Sequence, residues 1–408
     1  MTTGIFNTSQ FAPNLAKVSF AGMITRFMPA GNAPLFGLTS MLPTATALQA
    51  THGFFTKTMV FPAFTLTANV LVGDTTLTVS STKNLLPGQI HQFFQTKENV
   101  IINNVISTTQ IQVSRAIGTV AATAITLGGG VSPEAYQVGN AFEEGSVRPQ
   151  AMGIDPIQVT NYTQIFRNTW AITGTADATQ VIVGDTTQAE NRQDCAAFHA
   201  ADIEKALFFG QKSNGSRNGM PFRTMDGLVS VVSNIAYYPP SYAAPNVFPA
   251  GSTTSNDQLE AMLDPVFDQA TDPKVANERV LFVGGKARVV LNNIGKKSGV
   301  YQLMDGMTSW GLQFSTMRLA RGTFRIIEHP LFNSNPNWSR MAVAVDLSTF
   351  ALAYLKGRDT LNKEFNITGA QTTDNGIDAV GGSLLTECTT EIRNPPANSI
   401  ITGLTAAA

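Results

Sequence analysis

The most constraining feature of this sequence is the run at residues 157–172, IQVTNYTQIFRNTWAI, which is rich in β-branched and aromatic residues and lacks glycine and proline. This composition favours a β-strand. As one strand, the run would extend about 50 Å at ~3.3 Å per residue, whereas an average strand has ~5 to 6 residues. Alternation predicts that Tyr162, Phe166 and Trp170 share one face. A strand this long is typical of a segment that projects from its domain.

An inserted all-β module is predicted before this run. Residues 54–66 can pair with the run in antiparallel orientation, with Pro62 marking an edge or a bulge. Beyond them the pattern changes to short alternating runs separated by turn residues, at 76–79, 99–102 and 110–113, with a hairpin turn at 107–109. The two flanks therefore form a hairpin arm, and residues 67–145 form a small β module near its tip.

The clearest helix is predicted at residues 185–210. Thr187 and Glu190 have the spacing of a capping box, and Gly210 stands where a C-terminal glycine cap belongs. Its expected buried face has helical spacing: Ala189, Ala196, Ala200, Ile203 and Leu207. At ~1.5 Å per residue this helix would be about 33 Å long, so it needs a sheet or a second helix along its length.

The remaining sequence has a mixed α/β pattern without a fixed-period repeat. Helices are predicted at 258–269 and 286–294, and strands at 280–283, 324–328, 341–345, 350–355 and 383–393. Residues 1–50 contain four prolines and no sustained periodicity, which indicates an arm with local elements. The predicted fold class is therefore α+β.

Charge is scarce. Charged residues make up 13% of the 408 residues, and 27 basic and 28 acidic side chains give a formal net charge of −1, whereas soluble domains average ~25% charged residues. The surface must therefore be covered mainly by uncharged polar groups, which tolerate contact with copies of the same chain. A chain without excess cations is also a poor candidate for sequence-wide DNA binding.

Neither a membrane span nor a signal peptide is expected. No apolar stretch reaches the ~20 residues that a membrane helix requires, and the first thirty residues lack the pattern of a signal peptide. Cys195 and Cys388 could form one disulfide at most. We therefore expect a protein that is synthesised in a reducing cytoplasm and does not associate with a membrane.

Cys195, His199 and Asp202 place a thiol, an imidazole and a carboxylate on one helix face. This spacing is compatible with half of a metal site, or with a nucleophile and its base in a hydrolase. The other histidines lack partner spacing, so we favour packing and a helix-surface ion network with Glu190, Arg192 and Lys205. Accordingly, we expect no enzymatic activity, no metal and no cofactor.

Several short segments together resemble the major capsid proteins of tailed phages with the Hong Kong 97-like fold, in particular a branch from short-tailed phages. No segment is a chemical signature, but their order along nearly the whole chain carries the resemblance. The segments are 21–26 with Pro29 and 33–35, then 141–146 (AFEEGS), 161–167 (NYTQIFR), 174–176, 202–210 (DIEKALFFG), 224–227 and 357–359.

The resemblance implies a domain layout. Residues 1–50 would be the N-terminal arm, 51–66 and 146–176 the extended loop, and 67–145 the β insertion domain. The peripheral domain would contain residues 177–254 and 376–408, including a spine helix at 185–210, and the axial domain would be 255–375. Some members of the wider family crosslink neighbouring subunits through lysine and asparagine, but no motif here carries that property over.

The function implied is self-assembly into the icosahedral or prolate head shell of a tailed double-stranded DNA phage. The partners would be the chain itself in hexamers and pentamers, a scaffolding protein, the portal and a cement protein, with the genome enclosed but not bound sequence-specifically. The shell would be a part of the virion that assembles in the host cytoplasm. The alternatives are a cement or tail-tube protein and, from another class, the Cys195/His199 hydrolase.

Nine residues are predicted at subunit interfaces. They lie in the extended strands, at the exit from the β module and on the long helix: Lys57, Glu143, Glu144, Tyr162, Phe166, Arg167, Trp170, Glu190 and Arg192.

Overall fold

A computed structural model describes residues 33–39, 42, 44–57, 62–128, 133–151, 153, 156–179, 187–239, 242, 244–251, 254–268, 278–298, 304–309, 312–366 and 379–405. The chain divides into two compact units, Met1–Phe54 with Gln158–Ala408, and Phe55–Ile157. Most of the predicted arm, residues 1–32, lies outside the described residues.

The described residues form both helices and strands. The helices are α1 (Pro34–Thr39), α2 (Gly174–Ala178), α3 (Thr187–Phe209), α4 (Leu228–Ser233), α5 (Asn256–Leu263) and α6 (Gly285–Ser298). The strands are β1 (Ala45–Ala47), β2 (Thr51–Thr56), β3 (Ala63–Thr65), β4 (Thr76–Thr78), β5 (Gln89–Phe93), β6 (Asn99–Ser107), β7 (Gln110–Ser114), β8 (Glu134–Asn140), β9 (Ile157–Tyr162), β10 (Gln164–Thr173), β11 (Ser213–Arg217), β12 (Met220–Thr224), β13 (Val247–Pro249), β14 (Glu278–Val283), β15 (Met304–Ser309), β16 (Leu312–Arg318), β17 (Thr323–Glu328), β18 (Ala342–Val345), β19 (Phe350–Leu355), β20 (Leu361–Asn366), β21 (Ala379–Ile392) and β22 (Ser399–Thr402). This confirms the α+β class.

In the first unit, the long strand β21 organises a five-stranded sheet. The order is β1-β19-β21-β10, and β20 also pairs with β21. β10 is antiparallel to β21 over its whole length, from Gln164 opposite Cys388 to Thr173 opposite Ala379. The long helix α3 packs against β10 and β21. The sheet that this helix was predicted to need is therefore present.

A seven-stranded mixed sheet lies in the same unit, in the order β13-β22-β18-β14-β17-β16-β15. Both faces of this sheet are covered by apolar cores, as the residues of β14 show. Val280 and Phe282 belong to the core that includes α3, whereas Leu281 and Val283 belong to a second core with α5 and α6. Because successive side chains of a strand point to opposite faces, this one apolar run supplies both cores.

The predicted helix is present as α3, but its details differ. It begins at Thr187, and Ile203 and Leu207 are buried as predicted, while Ala196 is exposed. Gly210 does not adopt the positive φ of a C-terminal cap. A Cβ atom there would lie 2.6 Å from the carbonyl oxygens of Ala206 and Met225, so close backbone approach explains this glycine.

The prediction of one continuous strand at residues 157–172 is wrong. The run forms two strands with different partners: β9 pairs with β2 and β10 pairs with β21. Thr163 separates them, and its N–H donates to the carbonyl oxygen of Ala50 at 2.8 Å. The buried positions shift from odd to even residue numbers across this break, so Tyr162 does not share the buried face of Phe166 and Trp170.

The second unit contains a six-stranded sheet in the order β3-β8-β5-β6-β7-β4. Its two outer strands meet, because Leu66 bridges Val79 and the Ser80 N–H donates to Thr65 O at 2.9 Å. The sheet therefore closes around one apolar core and leaves no open edge there. The predicted turn at 107–109 connects β6 and β7.

The predicted partner strand at 54–66 needs correction, because β2 (Thr51–Thr56) pairs with β9 whereas β3 (Ala63–Thr65) pairs with β8. The helices and strands predicted in the mixed α/β part are confirmed. The helix at 258–269 corresponds to α5 and a following 3-10 turn at Asp264–Phe267, and the helix at 286–294 lies within α6. The strands at 280–283, 324–328, 341–345, 350–355 and 383–393 correspond to β14, β17, β18, β19 and β21. In the part of the chain that the structure describes, no helix has both the length and the apolarity to cross a membrane.

Candidate functional site

Two of the predicted interface aromatics, Phe166 and Trp170, lie inside the protomer. They are only 6% and 2% exposed. Phe166 belongs to the core that contains Ile203 and Leu207 of α3. Trp170 lies opposite Gly382 of β21, where a Cβ atom would be 2.8 Å from the indole Nε1. The prediction of a subunit contact needs correction for these two side chains, because the protomer's own core covers them.

Tyr162 and Arg167 are more accessible. Arg167 is exposed on β10, and Tyr162 is half-buried on β9. The Lys212 Nζ lies 5.2 Å from the centre of the Tyr162 ring and donates to Thr160 Oγ1 at 2.8 Å. A cation over an aromatic face is a favourable contact, so Tyr162 and Thr160 fix Lys212 against β9.

Three further predicted residues lie on exposed backbone. Lys57 follows β2, and Glu143 and Glu144 lie in a segment, residues 140–151, in which every residue is exposed. The Ser146 N–H donates to Glu143 O at 3.1 Å, and Gly145 has φ 77°. Glu143 and Glu144 are therefore presented at a tight turn.

The two predicted residues on α3 lie near its N-terminal end. Glu190 is half-buried and Arg192 is exposed. Arg192 pairs with Glu364 of β20 at 2.9 Å, and Lys205 pairs with Asp202 at 3.6 Å. Arg192 thus connects the long helix to a strand, a contact that the helix-surface spacing did not predict.

The imidazole of His199, between Cys195 and Asp202 on α3, has hydrogen-bonding partners on two strands. The ring nitrogens of His199 lie 2.7 Å from Asn168 Oδ1 and 2.8 Å from Thr386 Oγ1. Burial raises the pKa of Cys195 and lowers the pKa of His199, with Asp202 opposing the latter shift. The imidazole therefore ties α3 to β10 and β21. No metal-binding group of His, Cys, Asp and Glu occurs among the described residues.

Sequence reasoning missed Glu204, the most completely buried acid of α3. Its carboxylate accepts the backbone N–H groups of Leu35 at 2.9 Å and Phe36 at 2.7 Å. His329 Nε2 lies 2.6 Å from the same carboxylate, and neither side chain is exposed. The carboxylate of Glu204 therefore connects α3 both to α1 and to His329, the residue after β17. The sequence did contain a signal for this residue, because Glu204 is an acid next to Ile203 on a helix face that is otherwise apolar.

A second missed network surrounds Asn161. Its Nδ2 donates to Asp226 O at 3.1 Å and to Thr390 Oγ1 at 2.8 Å, and its Oδ1 accepts the Asp226 N–H at 2.7 Å. Asp226 Oδ1 accepts the Lys212 N–H at 3.2 Å. Lys212 and Asp226 flank the hairpin of β11 and β12, so this network fixes the base of that hairpin on β9 and β21.

The hairpin itself is almost entirely exposed. β11 and β12 form a separate two-stranded sheet, and every residue from Ser213 to Phe222 is exposed. The connecting residues Asn218 and Gly219 have φ values of 52° and 74°, which are typical of a type I′ turn. With the exposed turn at Glu143 and Glu144, the chain thus has two well-defined surface segments that lack a core of their own.

Comparisons with known proteins match nearly the whole chain to phage capsid proteins. A family model described as the SU10 major capsid protein matches residues 1–405. The major capsid protein of Pseudomonas phage PaMx41 is 36% identical over 410 residues, covering 98% of this chain and 96% of that protein.

More distant likenesses occur among solved structures. One from Microbacterium phage Oxtober96 has 10% identity and a TM-score of 0.46, covering 96% of this chain and 97% of that one. The SrpI encapsulin of Synechococcus elongatus has 12% identity and a TM-score of 0.43, covering 62% of this chain and 79% of that one.

The match to the family model extends over nearly every residue, and the curated phage relative shares more than a third of its residues with this chain along almost its full length. The chain belongs to the SU10 major capsid protein family.

Proposed function

We propose that this chain self-assembles into the head shell of a tailed double-stranded DNA phage and encloses the packaged genome. The observation that carries the proposal is family membership over residues 1–405. Two features of the chain support it: a low charge fraction of 13%, and exposed segments, at 140–151 and 213–222, on a firmly packed protomer. Repeated weak contacts of such segments gain strength through multivalency.

The proposal includes the Hong Kong 97-like layout. Residues 1–50 would be the arm, 51–66 with 146–176 the extended loop, and 67–145 the insertion domain. Residues 177–254 and 376–408 would form the peripheral domain and 255–375 the axial domain. The closed sheet of the second unit supports the insertion, and α3 (Thr187–Phe209) supports the spine helix.

The partners follow from this role. Copies of the chain would form hexamers and pentamers through heterologous contacts that close by rotation. A scaffolding protein, a portal and a cement protein would complete the head, which would be assembled in the host cytoplasm and retained in the virion. The balanced charge supports a shell wall that encloses DNA without binding it tightly.

Sedimentation and negative-stain electron microscopy of the purified protein test the proposal, with the chain produced alone and together with the other head proteins of its phage. We expect rings or closed particles that dissociate on dilution or in denaturant. A strictly monomeric protein at high concentration under every assembly condition would contradict the proposal.

Copy number separates the shell role from the cement and tail-tube roles. Quantitative mass spectrometry of separated heads and tails should find this chain in heads, in large excess over the portal. Enrichment in tails would favour the tail-tube role. Release by mild treatment that leaves the heads intact would favour the cement role.

A further inference from the structure

The hairpin of β11 and β12 has one face that combines a cation with exposed apolar groups. Arg217 is directly opposite Met220, and Gly215 is opposite Phe222. Directly opposite residues of antiparallel strands point to the same side, and alternate residues of each strand share a face. Arg217, Met220 and Phe222 therefore form one surface, which we call the hairpin face, and Arg223 points to the other side.

The hairpin face is exposed to solvent. Met220 is 71% exposed and Phe222 is 44% exposed. Arg217 makes no ion pair with any described residue of its chain. An isolated two-stranded hairpin is at best marginally stable in water, and an exposed apolar surface beside a free cation is typical of a protein contact.

The hairpin is nevertheless held in a fixed position at its base. The Lys212 N–H donates to Asp226 Oδ1 at 3.2 Å, and the Met225 N–H donates to Gln164 Oε1 at 3.0 Å. The Gly227 N–H donates to Gly210 O at 2.9 Å. A partner that binds the hairpin face therefore needs to order little more than its exposed side chains, which lowers the entropic cost of binding.

A complementary surface exists on the same chain, at the turn that contains Glu143 and Glu144. Phe142 before them is 44% exposed and Val147 after them is 88% exposed. Neither acid forms an ion pair with the described residues. The nearest basic residue in sequence, Arg148, lies beyond Val147. This turn, which we call the acidic turn, thus offers two free carboxylates between apolar groups.

We propose that the hairpin face of one copy docks onto the acidic turn of a second copy, with Arg217 between the carboxylates of Glu143 and Glu144 and Phe222 against Phe142. This proposal rests on the proposed shell function, and it identifies two surfaces through which copies of the chain would contact each other in the shell. The contact is heterologous, so it can repeat around a ring.

Packaged DNA is the other anionic partner to consider for Arg217. Affinity for a duplex comes from several cations that neutralise several phosphates, and the hairpin face has one cation beside two apolar side chains. A carboxylate turn with its own apolar groups matches this face better than a phosphate backbone does.

Charge reversal with complementation tests the contact between copies. Arg217→Glu alone, and Glu143→Lys with Glu144→Lys, should each lower the yield of rings or particles by at least about tenfold, because the repulsion is repeated at every copy. Mixing the two defective proteins in equal amounts should restore rings of even subunit number. In such a mixture the reversed hairpin of one variant meets the reversed turn of the other.

Matched controls are available on both segments. Arg223→Glu changes the same charge on the opposite side of the hairpin, and Arg148→Glu changes a charge next to the acidic turn. Both should assemble like the wild type. Circular dichroism and the unfolding temperature of each unassembled variant establish that it is folded.

Three results would overturn the proposal. The first is that Arg217→Glu assembles normally. The second is that both variants are folded and defective but do not form rings when they are mixed. The third is that Arg217→Glu forms normal shells that package less DNA. Because wild-type shells are scored in the same experiment, the shell function stands when they form, whatever the variants do. If wild-type shells do not form, the proposed function fails first.

Discussion

The carboxylate of Glu204 lies 2.6 Å from Nε2 of His329, and neither side chain is accessible to solvent. The same carboxylate accepts the N–H groups of Leu35 and Phe36 at 2.9 and 2.7 Å. A buried charge is tolerated only where its hydrogen-bonding capacity is satisfied. This one acid therefore makes the docking of α1 depend on the C-terminal part of the long helix.

Replacing Glu204 with glutamine should loosen α1. The amide has the same shape but presents an NH2 group to atoms that already donate, so buried donors are left unpaired. We expect a loss of about 3 kcal/mol in the free energy of unfolding of the unassembled protomer. Urea denaturation measures the loss, and hydrogen exchange of residues 34–39 should accelerate.

Glu364→Gln is the matched control for this substitution. It removes an acid whose pair with Arg192 is about half exposed, and such pairs contribute roughly 0.2 to 1 kcal/mol. Equal losses in the two variants, or unchanged exchange at residues 34–39 in Glu204→Gln, would contradict the role assigned to Glu204.

His91 should make the second unit sensitive to acid. Its side chain has no exposed surface, and burial lowers its pKa to about 4, with a backbone hydrogen bond at Ala135 opposing the shift. An unfolded histidine has a pKa of about 6.5. As the pH falls from about 6.5 to about 4, the unfolded state therefore binds a proton that the folded state does not, and stability falls.

The expected loss over that interval is roughly 3 kcal/mol from this residue. Denaturation of the wild type and of His91→Gln between pH 7.5 and 4 measures it. The variant should lose less stability over the interval, because glutamine does not titrate. Parallel pH profiles for the two proteins would show that His91 is not responsible.

Periodicity predicted much of this fold because the relevant signals are local. The apolar run 280–283 and the helical spacing of Ile203 and Leu207 each contain the information that sets burial. The break of the run 157–172 at Thr163 is not local. It occurs because the strand changes partner from β2 to β21, and β21 begins only at Ala379, far along the chain.

The surface residues were harder to predict for the same reason. Alternation placed Phe166 and Trp170 on one face, but only the packing of α3 and the glycine at 382 decides that this face is internal. The hairpin that carries Arg217 had a usable signal, the dipeptide Asn218-Gly219, which favours a type I′ turn. What that hairpin contacts depends on another copy, and periodicity within one chain contains no information on it.

Gly210→Ala should be strongly destabilising although α3 ends at Phe209. The added Cβ atom would lie 2.6 Å from two carbonyl oxygens, those of Ala206 and Met225, so the backbone must move. We expect a cost of at least about 2 kcal/mol in unfolding free energy. Gly251→Ala is the control, because nothing lies within 4 Å of a Cβ atom there, and its effect should stay within about 0.5 kcal/mol. Similar values for both substitutions would refute the close-approach explanation.

Arg115 and Glu98 form a buried ion pair in the second unit, and removing the cation should destabilise that unit selectively. Arg115 Nη2 lies 2.6 Å from Glu98 Oε2, and Glu98 has no exposed side-chain surface. Glu98 also accepts the N–H groups of Ala116 at 3.1 Å and Thr123 at 3.3 Å. Arg115→Met would leave this carboxylate buried without its cation, which costs about 3 to 5 kcal/mol.

Hydrogen exchange resolved by residue measures where that cost falls. In Arg115→Met, exchange should accelerate over residues 99–125, while β18 and β21, which lie in the other unit, keep the wild-type rate. Adding Glu98→Gln should recover part of the loss, because a neutral amide costs less to bury than an unpaired carboxylate. Arg192→Met removes an exposed cation and should leave both regions unchanged. Uniform acceleration across both units, or no recovery in the double variant, would mean that Glu98 is not held by Arg115 in the way that its geometry indicates.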